Sequence, residues 1–216
     1  MRTTDYYNQK YFDLFQAPIG KLGGIYNRFK FQKHIKSSDI VLDFGCGGGF
    51  LLNNLIAKQK IGVEVNQFAR SHAKSLGIEC YESLDFITDN SIDVIISNHV
   101  FEHIENPFYY FKALLEKLKV GGKIIVYVPL DSRKYYFSPN DINQHFFSFS
   151  PMNLGNILHA SGYSLQKASV LYHKWPPYFN FIHRYLGKKI FHFLSFIYGR
   201  INYDYVQVYA IATRPN

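Results

Sequence analysis

The first short apolar run, Ile40-Val41-Leu42, ends in Asp43 and a cluster of glycines. Such a run bounded by turn residues predicts a buried strand. Phe50 to Ile56 then follows helical period, and Ile61 to Val65 reads as a second strand. Phe68 to Leu76 predicts a helix closed by Gly77, and Ile78 to Tyr81 a short third strand. Ile92 to Ser97 is a fourth strand. Pro107 suits the first turn of a helix running to about Lys119, with Phe108, Phe111, Leu114, Leu115 and Leu118 at helical spacing and Gly121-Gly122 as its stop. Lys123 to Val128 predicts a fifth strand. Ser150-Pro151 opens a helix that Gly162 ends, and Tyr163 to Val170 and Tyr205 to Thr213 predict two final strands. Strands alternating with helices imply an α/β fold with a mostly parallel sheet covered on both faces.

Two stretches stand outside this alternation. Residues 1–38 are polar and aromatic, helical in part, with Phe29, Lys33 and Lys36 at helical spacing; they read as a lead-in rather than as core. In 175–200, Trp175-Pro176-Pro177 breaks the chain, and Ile182, Tyr185, Leu186, Ile190, Phe193, Leu194 and Ile197 then recur at helical spacing. The expected layout is one domain over 1–216: a helical lead-in (1–38), a core (39–170), an insertion (171–203) and a final strand (204–213).

With 47% hydrophobic residues among 216, the chain can bury a sizeable core. The net charge is +8, and its distribution is uneven. From Ile142 to Tyr203 there is no Asp or Glu, against Lys167, Lys174, Arg184, Lys188, Lys189 and Arg200. That stretch would attract phosphates or anionic headgroups. The start of the chain has no apolar stretch of signal-peptide type, and Cys46 and Cys80 make no disulfide framework, so a cytoplasmic location is expected. The 175–200 stretch is too interrupted by charge to span a bilayer. It reads as a packed lid or as a basic, aromatic surface for peripheral membrane contact.

Strand, then Asp43-x-Gly45-x-Gly47-x-Gly49, then helix is a nucleotide-type site at the carboxyl end of a strand. Glu64, about twenty residues on, can accept both hydroxyls of a ribose. Two cofactors compete. A dinucleotide wants Gly-x-Gly-x-x-Gly and a pyrophosphate on the helix N-terminus. Here the third glycine comes one residue early, position 50 is Phe, and Asp43 would repel a phosphate. A cationic sulfonium with an amino acid tail suits Asp43 better. A nicotinamide oxidoreductase and a non-catalytic binding protein stay as alternatives.

Val41 to Gly49 resembles the first motif of class I S-adenosylmethionine-dependent methyltransferases, small stand-alone members included. Ser91 to Ile104 resembles the fourth-strand motif, and Leu118 to Lys123 the turn before the fifth strand. His145 to Ser150 resembles the segment before the last core helix. The likeness covers residues 40–170. It implies a Rossmann-like, doubly wound, seven-stranded sheet with an antiparallel last strand, and S-adenosyl-L-methionine as cofactor. It places Asp43, Gly45, Cys46, Gly47 and Gly49 at the methionine part, Glu64 and Val65 at the ribose, and Glu82, Ser83 and Leu84 at the adenine. Glu82 departs from the aspartate often found there. Asn98 and His99 would line the mouth of the site.

His99 to His103 also fits the His-x-x-Glu-His pattern of zinc peptidases. The stretch directly follows a strand and precedes Pro107, too short a helix for that chemistry, so no metal is expected. Methyl transfer to a hydroxyl gains from a base, and His145, His99 and Asp131 are the candidates, His145 first. The expected reaction is methylation of a small molecule, an oxygen on a sugar or polyol of surface polysaccharide assembly. A lipid or quinone at a membrane is the alternative, the acceptor being phosphate-bearing or lipid-linked. Nucleic acid is disfavoured, because Asn98-His99-Val100-Phe101 is not the Pro-Pro-aromatic type used on base amino groups.

Overall fold

The computed structural model of the chain describes residues 8–130, 137–138, 145–204 and 206–216. Seven strands form one sheet: β1 (Ile40–Phe44), β2 (Gln59–Val63), β3 (Glu79–Tyr81), β4 (Ile92–Asn98), β5 (Leu118–Pro129), β6 (Ser164–Leu171) and β7 (Gln207–Thr213). Their order is β3-β2-β1-β4-β5-β7-β6. The first five strands are parallel, while β7 runs antiparallel to both β5 and β6. The doubly wound sheet with an antiparallel last strand is thus as expected from the sequence.

The helices are α1 (Gln9–Tyr11), α2 (Ala17–Phe31), α3 (Phe50–Asn53), α4 (Gln67–Ser75), α5 (Pro107–Lys117), α6 (Pro151–Ala160), α7 (Phe179–Phe181) and α8 (Gly187–Ile201). Side chains alternate across a strand, so each central strand feeds both layers. Leu42, Ile95, Ile124 and Val126 pack with Phe111, Leu114 and Leu158 of α5 and α6. Val41, Val94, Ile96 and Ile125 face the other way, onto Phe31, Leu52 and Ala73 of α2, α3 and α4. Two-sided cover is why these strands read as unbroken apolar runs. Edge strand β6 is at most half-buried.

Several boundaries differ from the sequence reading. The second strand ends at Val63, which leaves Glu64 just beyond it. Helix α3 stops at Asn53. Gly121 and Gly122 lie inside β5, pinned to Arg214, while α5 already ends at Lys117.

The larger difference lies in the two stretches that seemed peripheral. The lead-in is core: Tyr26, Lys30 and Phe31 are almost wholly buried. Helix α2 sits directly on α3, because a Cβ on Gly24 would come within 2.2 Å of the Phe50 carbonyl oxygen. The insertion packs against α2. Tyr26 and Phe191 rings lie 4.0 Å apart, Trp175 meets Phe191 edge-on, and the Tyr26 hydroxyl pairs with His183. Lead-in and insertion form one aromatic cap over the carboxyl end of β1 and β4. No helix among the described residues is long and apolar enough to cross a membrane.

Candidate functional site

Asp43 is the penultimate residue of β1, inside its buried run, and pairs in register with Gly62 and Ile96. The chain then turns over the end of β2: the backbone N–H groups of Gly45 and Cys46 both donate to the Val63 carbonyl, at 2.8 and 3.1 Å. Gly45 has φ +77°, and a Cβ there would lie 2.3 Å from Val100 Cγ2. Only glycine meets both constraints. Gly49, also at positive φ, lies against Ile78 and Ala73 and lets the helix close onto its neighbour. The Cys46 thiol is 3.5 Å from that of Cys80, over Gly62, and both are buried.

Glu64 clamps this turn. Its Oε2 accepts the Gly47 N–H at 2.8 Å, and its Oε1 accepts the Asn66 N–H at 2.9 Å. Burial raises its pKa against the pull of those N–H groups and of Arg70. Arg70 holds the next stretch by donating to the carbonyls of Glu64 and Val65, and it reaches Glu82 at 3.4 Å. Asp43 is 2% exposed, and burial together with the Glu64 charge pushes its pKa up to about 8.

Two cavities meet at this loop. The first, about 170 Å³, is lined by Tyr11, Val63, Glu64, Val65, Glu82, Ser83, Leu84, His103 and Tyr110 among others. The second, about 500 Å³, is lined by Asp43, Cys46, Gly47, Asn98, Phe15, Ile19, His173, Lys174 and Trp175 among others. Gln16, Gly45 and His99 belong to both walls. The sequence-derived residues therefore divide. Glu64, Val65, Glu82, Ser83 and Leu84 surround one space, and Asp43, Cys46, Gly47 and Asn98 the other. Gly49 stands behind the loop, outside both linings.

Of the candidate bases, His99 lines both cavities, held at φ +59° by its N–H on the Tyr127 carbonyl. Its Nδ1 is 3.5 Å from Oε1 of Glu102, a buried carboxylate. His145 stands farther back, its ring edge-on to His103 at 4.9 Å. Asp131 lies outside the described residues. Glu102, His103 and His145 bring ligand atoms within 4.8 Å of one another, a spacing a metal ion could bridge. They do so around a single 3-10 turn, Phe101–His103, not on the long helix of a peptidase.

Tyr11, Gln16, Lys30 and Arg70 were not singled out from the sequence, and Trp175 only as the start of a chain break. Four of these five sit in the lead-in or the insertion, whose contacts are long-range. Arg70 acts on carbonyls, which leave no trace in sequence.

The likeness of the chain to known proteins falls on one family. The profile of a family described as Methyltransferase domain matches residues 17–168. A ubiquinone biosynthesis O-methyltransferase of Ruegeria pomeroyi is 29% identical over 93 residues, covering 38% of each chain. The chain spans between 38% and 53% of the length of such curated relatives. A SAM-dependent methyltransferase from Archaeoglobus fulgidus superposes with a TM-score of 0.65 at 19% identity, covering 94% of this chain and 100% of that one. Geranyl diphosphate methyltransferase in complex with GPP and sinefungin gives 0.67 at 15% identity, covering 97% of both chains. The chain belongs to the methyltransferase-domain family and has the Rossmann-like fold of S-adenosylmethionine-dependent methyltransferases.

Proposed function

We propose that the chain methylates a hydroxyl of a small molecule held in the second cavity, with the cofactor's adenosine in the first. The carrying observation is that the two cavities meet at Gly45 and His99, with a ribose-type carboxylate on one side and a buried Asp on the other. Glu64 keeps lone pairs free on both oxygens after accepting its two backbone N–H groups, so it can take ribose hydroxyls as well. Ser83 and Leu84 would meet the adenine, and Asp43 the amino end of the methionine part. When bound, the cofactor supplies an electrophilic methyl on a sulfonium. The chain's own task is to align the acceptor oxygen and exclude water. His99 Nδ1 faces Glu102, which leaves Nε2 to take the hydroxyl proton.

The second cavity combines apolar Phe15, Ile19 and Trp175 with polar Asn98, His99 and Lys174. That suits an amphipathic acceptor, phenolic or lipid-linked. Exposed Phe181, Tyr185, Ile190, Phe193, Ile197 and Ile201, interleaved with Arg184, Lys189 and Arg200, favour peripheral contact with an anionic membrane. The second reading is a sugar or polyol, favoured by Trp175 as a stacking wall and by the basic insertion as a phosphate handle. A cytoplasmic setting fits either acceptor.

Labelled cofactor, offered in parallel with lipid extracts and with nucleotide sugars, separates them. Label in the lipid phase supports the first reading and label in the sugar fraction the second; neither product overturns the hydroxyl assignment. With the productive acceptor, His99→Ala lowers kcat about a hundredfold or more. An unchanged kcat would remove His99 as the base.

A further inference from the structure

Lys30 lies on α2, in the segment the sequence presents as a lead-in. It is 1% exposed. Its ammonium donates to Asn98 Oδ1 at 3.0 Å and lies 5.1 Å from the Tyr127 ring centroid. Among the described residues no carboxylate pairs with it. The nearby His173, itself buried and paired with His192, supplies no negative charge. Burying an ammonium among neutral groups is costly, and such charges are retained where something compensates them. Here the other side of Asn98 is the second cavity, close to Asp43 and Gly47.

An ammonium has donors and no acceptor. It therefore holds the oxygen of the Asn98 amide, and the amide nitrogen is left for the cavity. Asn98 is fixed as a donor, with a positive charge directly behind it. A carboxylate arriving in the cavity would find both. Burial pulls the Lys30 pKa down to about 7, so an arriving anion would also stabilise its charged form.

We propose that Lys30 is a positioning residue for the cofactor's methionine carboxylate: through Asn98 it presents an N–H donor backed by a buried cation, and the carboxylate supplies the missing counter-charge. This rests on the reading that the methionine end lies at Asp43 in the second cavity. Asp43 and Lys30–Asn98 then read the two ends of one amino acid group, the ammonium and the carboxylate.

The test compares two ligands that share an adenosine and differ in the amino acid: S-adenosylhomocysteine and 5′-methylthioadenosine. Calorimetric titration of Lys30→Met is expected to show S-adenosylhomocysteine weakened about tenfold or more, one charge-assisted contact. Methylthioadenosine binding should stay unchanged. Asn98→Asp serves as a second variant: it keeps the partner of Lys30 but turns an acceptor toward the carboxylate. It should show the same selective loss. Equal losses for both ligands, or no loss of S-adenosylhomocysteine in either variant, would overturn the proposal. If wild-type protein binds the two ligands equally, the amino acid end is not gripped at all, and the placement at Asp43 fails instead.

Discussion

Asp43→Asn is expected to leave the chain folded and to weaken S-adenosylhomocysteine by roughly a hundredfold at pH 8. The substitution preserves shape and removes only the charge. Asp43 is buried at the end of β1, and burial plus the Glu64 carboxylate raise its pKa to about 8. Near pH 7 the free protein therefore holds most of this carboxyl protonated. A ligand ammonium favours the ionised form, so binding releases a proton. Affinity should rise up to about tenfold per pH unit below pH 7 and level off between pH 7 and 8, where Lys30, held charged by the bound carboxylate, takes up a proton in turn. The Asn variant should lack this rise. The stability sign is the reverse. A carboxyl whose pKa is raised by folding contributes stability at low pH and loses it as pH rises through the folded value. Asp43→Asn should thus melt no lower than wild type at pH 8. Titration at stepped pH, paired with thermal melts, checks both. A pH-independent wild-type affinity would contradict the placement of an ammonium at Asp43.

Glu64→Ala is expected to cost more, because Glu64 does two things. It holds the glycine turn through the Gly47 and Asn66 N–H groups, and it offers the ribose its acceptors. Hydrogen bonds to a charged group are each worth about 1.5–3 kcal/mol. Losing two to the ribose weakens binding by roughly two to four orders of magnitude. Leaving the partly buried Gly47 N–H without its partner loosens the loop as well. The loss must extend to 5′-methylthioadenosine, which keeps the ribose. Asp43→Asn should spare that ligand, which has no ammonium. This contrast maps the two cavities onto the two halves of the cofactor. Undiminished methylthioadenosine affinity in Glu64→Ala would remove Glu64 from the ribose.

The parts of this molecule legible in its sequence are those governed by local rules. Ile40-Val41-Leu42 and Ile92 to Ser97 read as strands because the sheet centre is covered on both faces. The glycine loop was legible because Gly45 and Gly49 meet positive φ and close approach at fixed spacing. What stayed hidden depends on contacts far apart in the chain. Tyr26 meets His183 across 157 positions, so neither the lead-in nor the insertion could be seen as half of a cap. Lys30 looked like one more surface lysine, although it is buried on Asn98, 68 positions away. His145 and His99 could not be ranked from sequence. Only the positive φ of His99 turns it onto the wall shared by both cavities, while His145 meets His103 edge-on behind it.

A crystal structure of the wild-type chain with S-adenosylhomocysteine bears most directly on where the cofactor sits. The expected result is adenine against Leu84, ribose hydroxyls on Glu64, the amino group at Asp43 and the carboxylate toward Asn98. Ligand density away from the Gly45–Gly49 loop, or a ribose that makes no contact with Glu64, would contradict it.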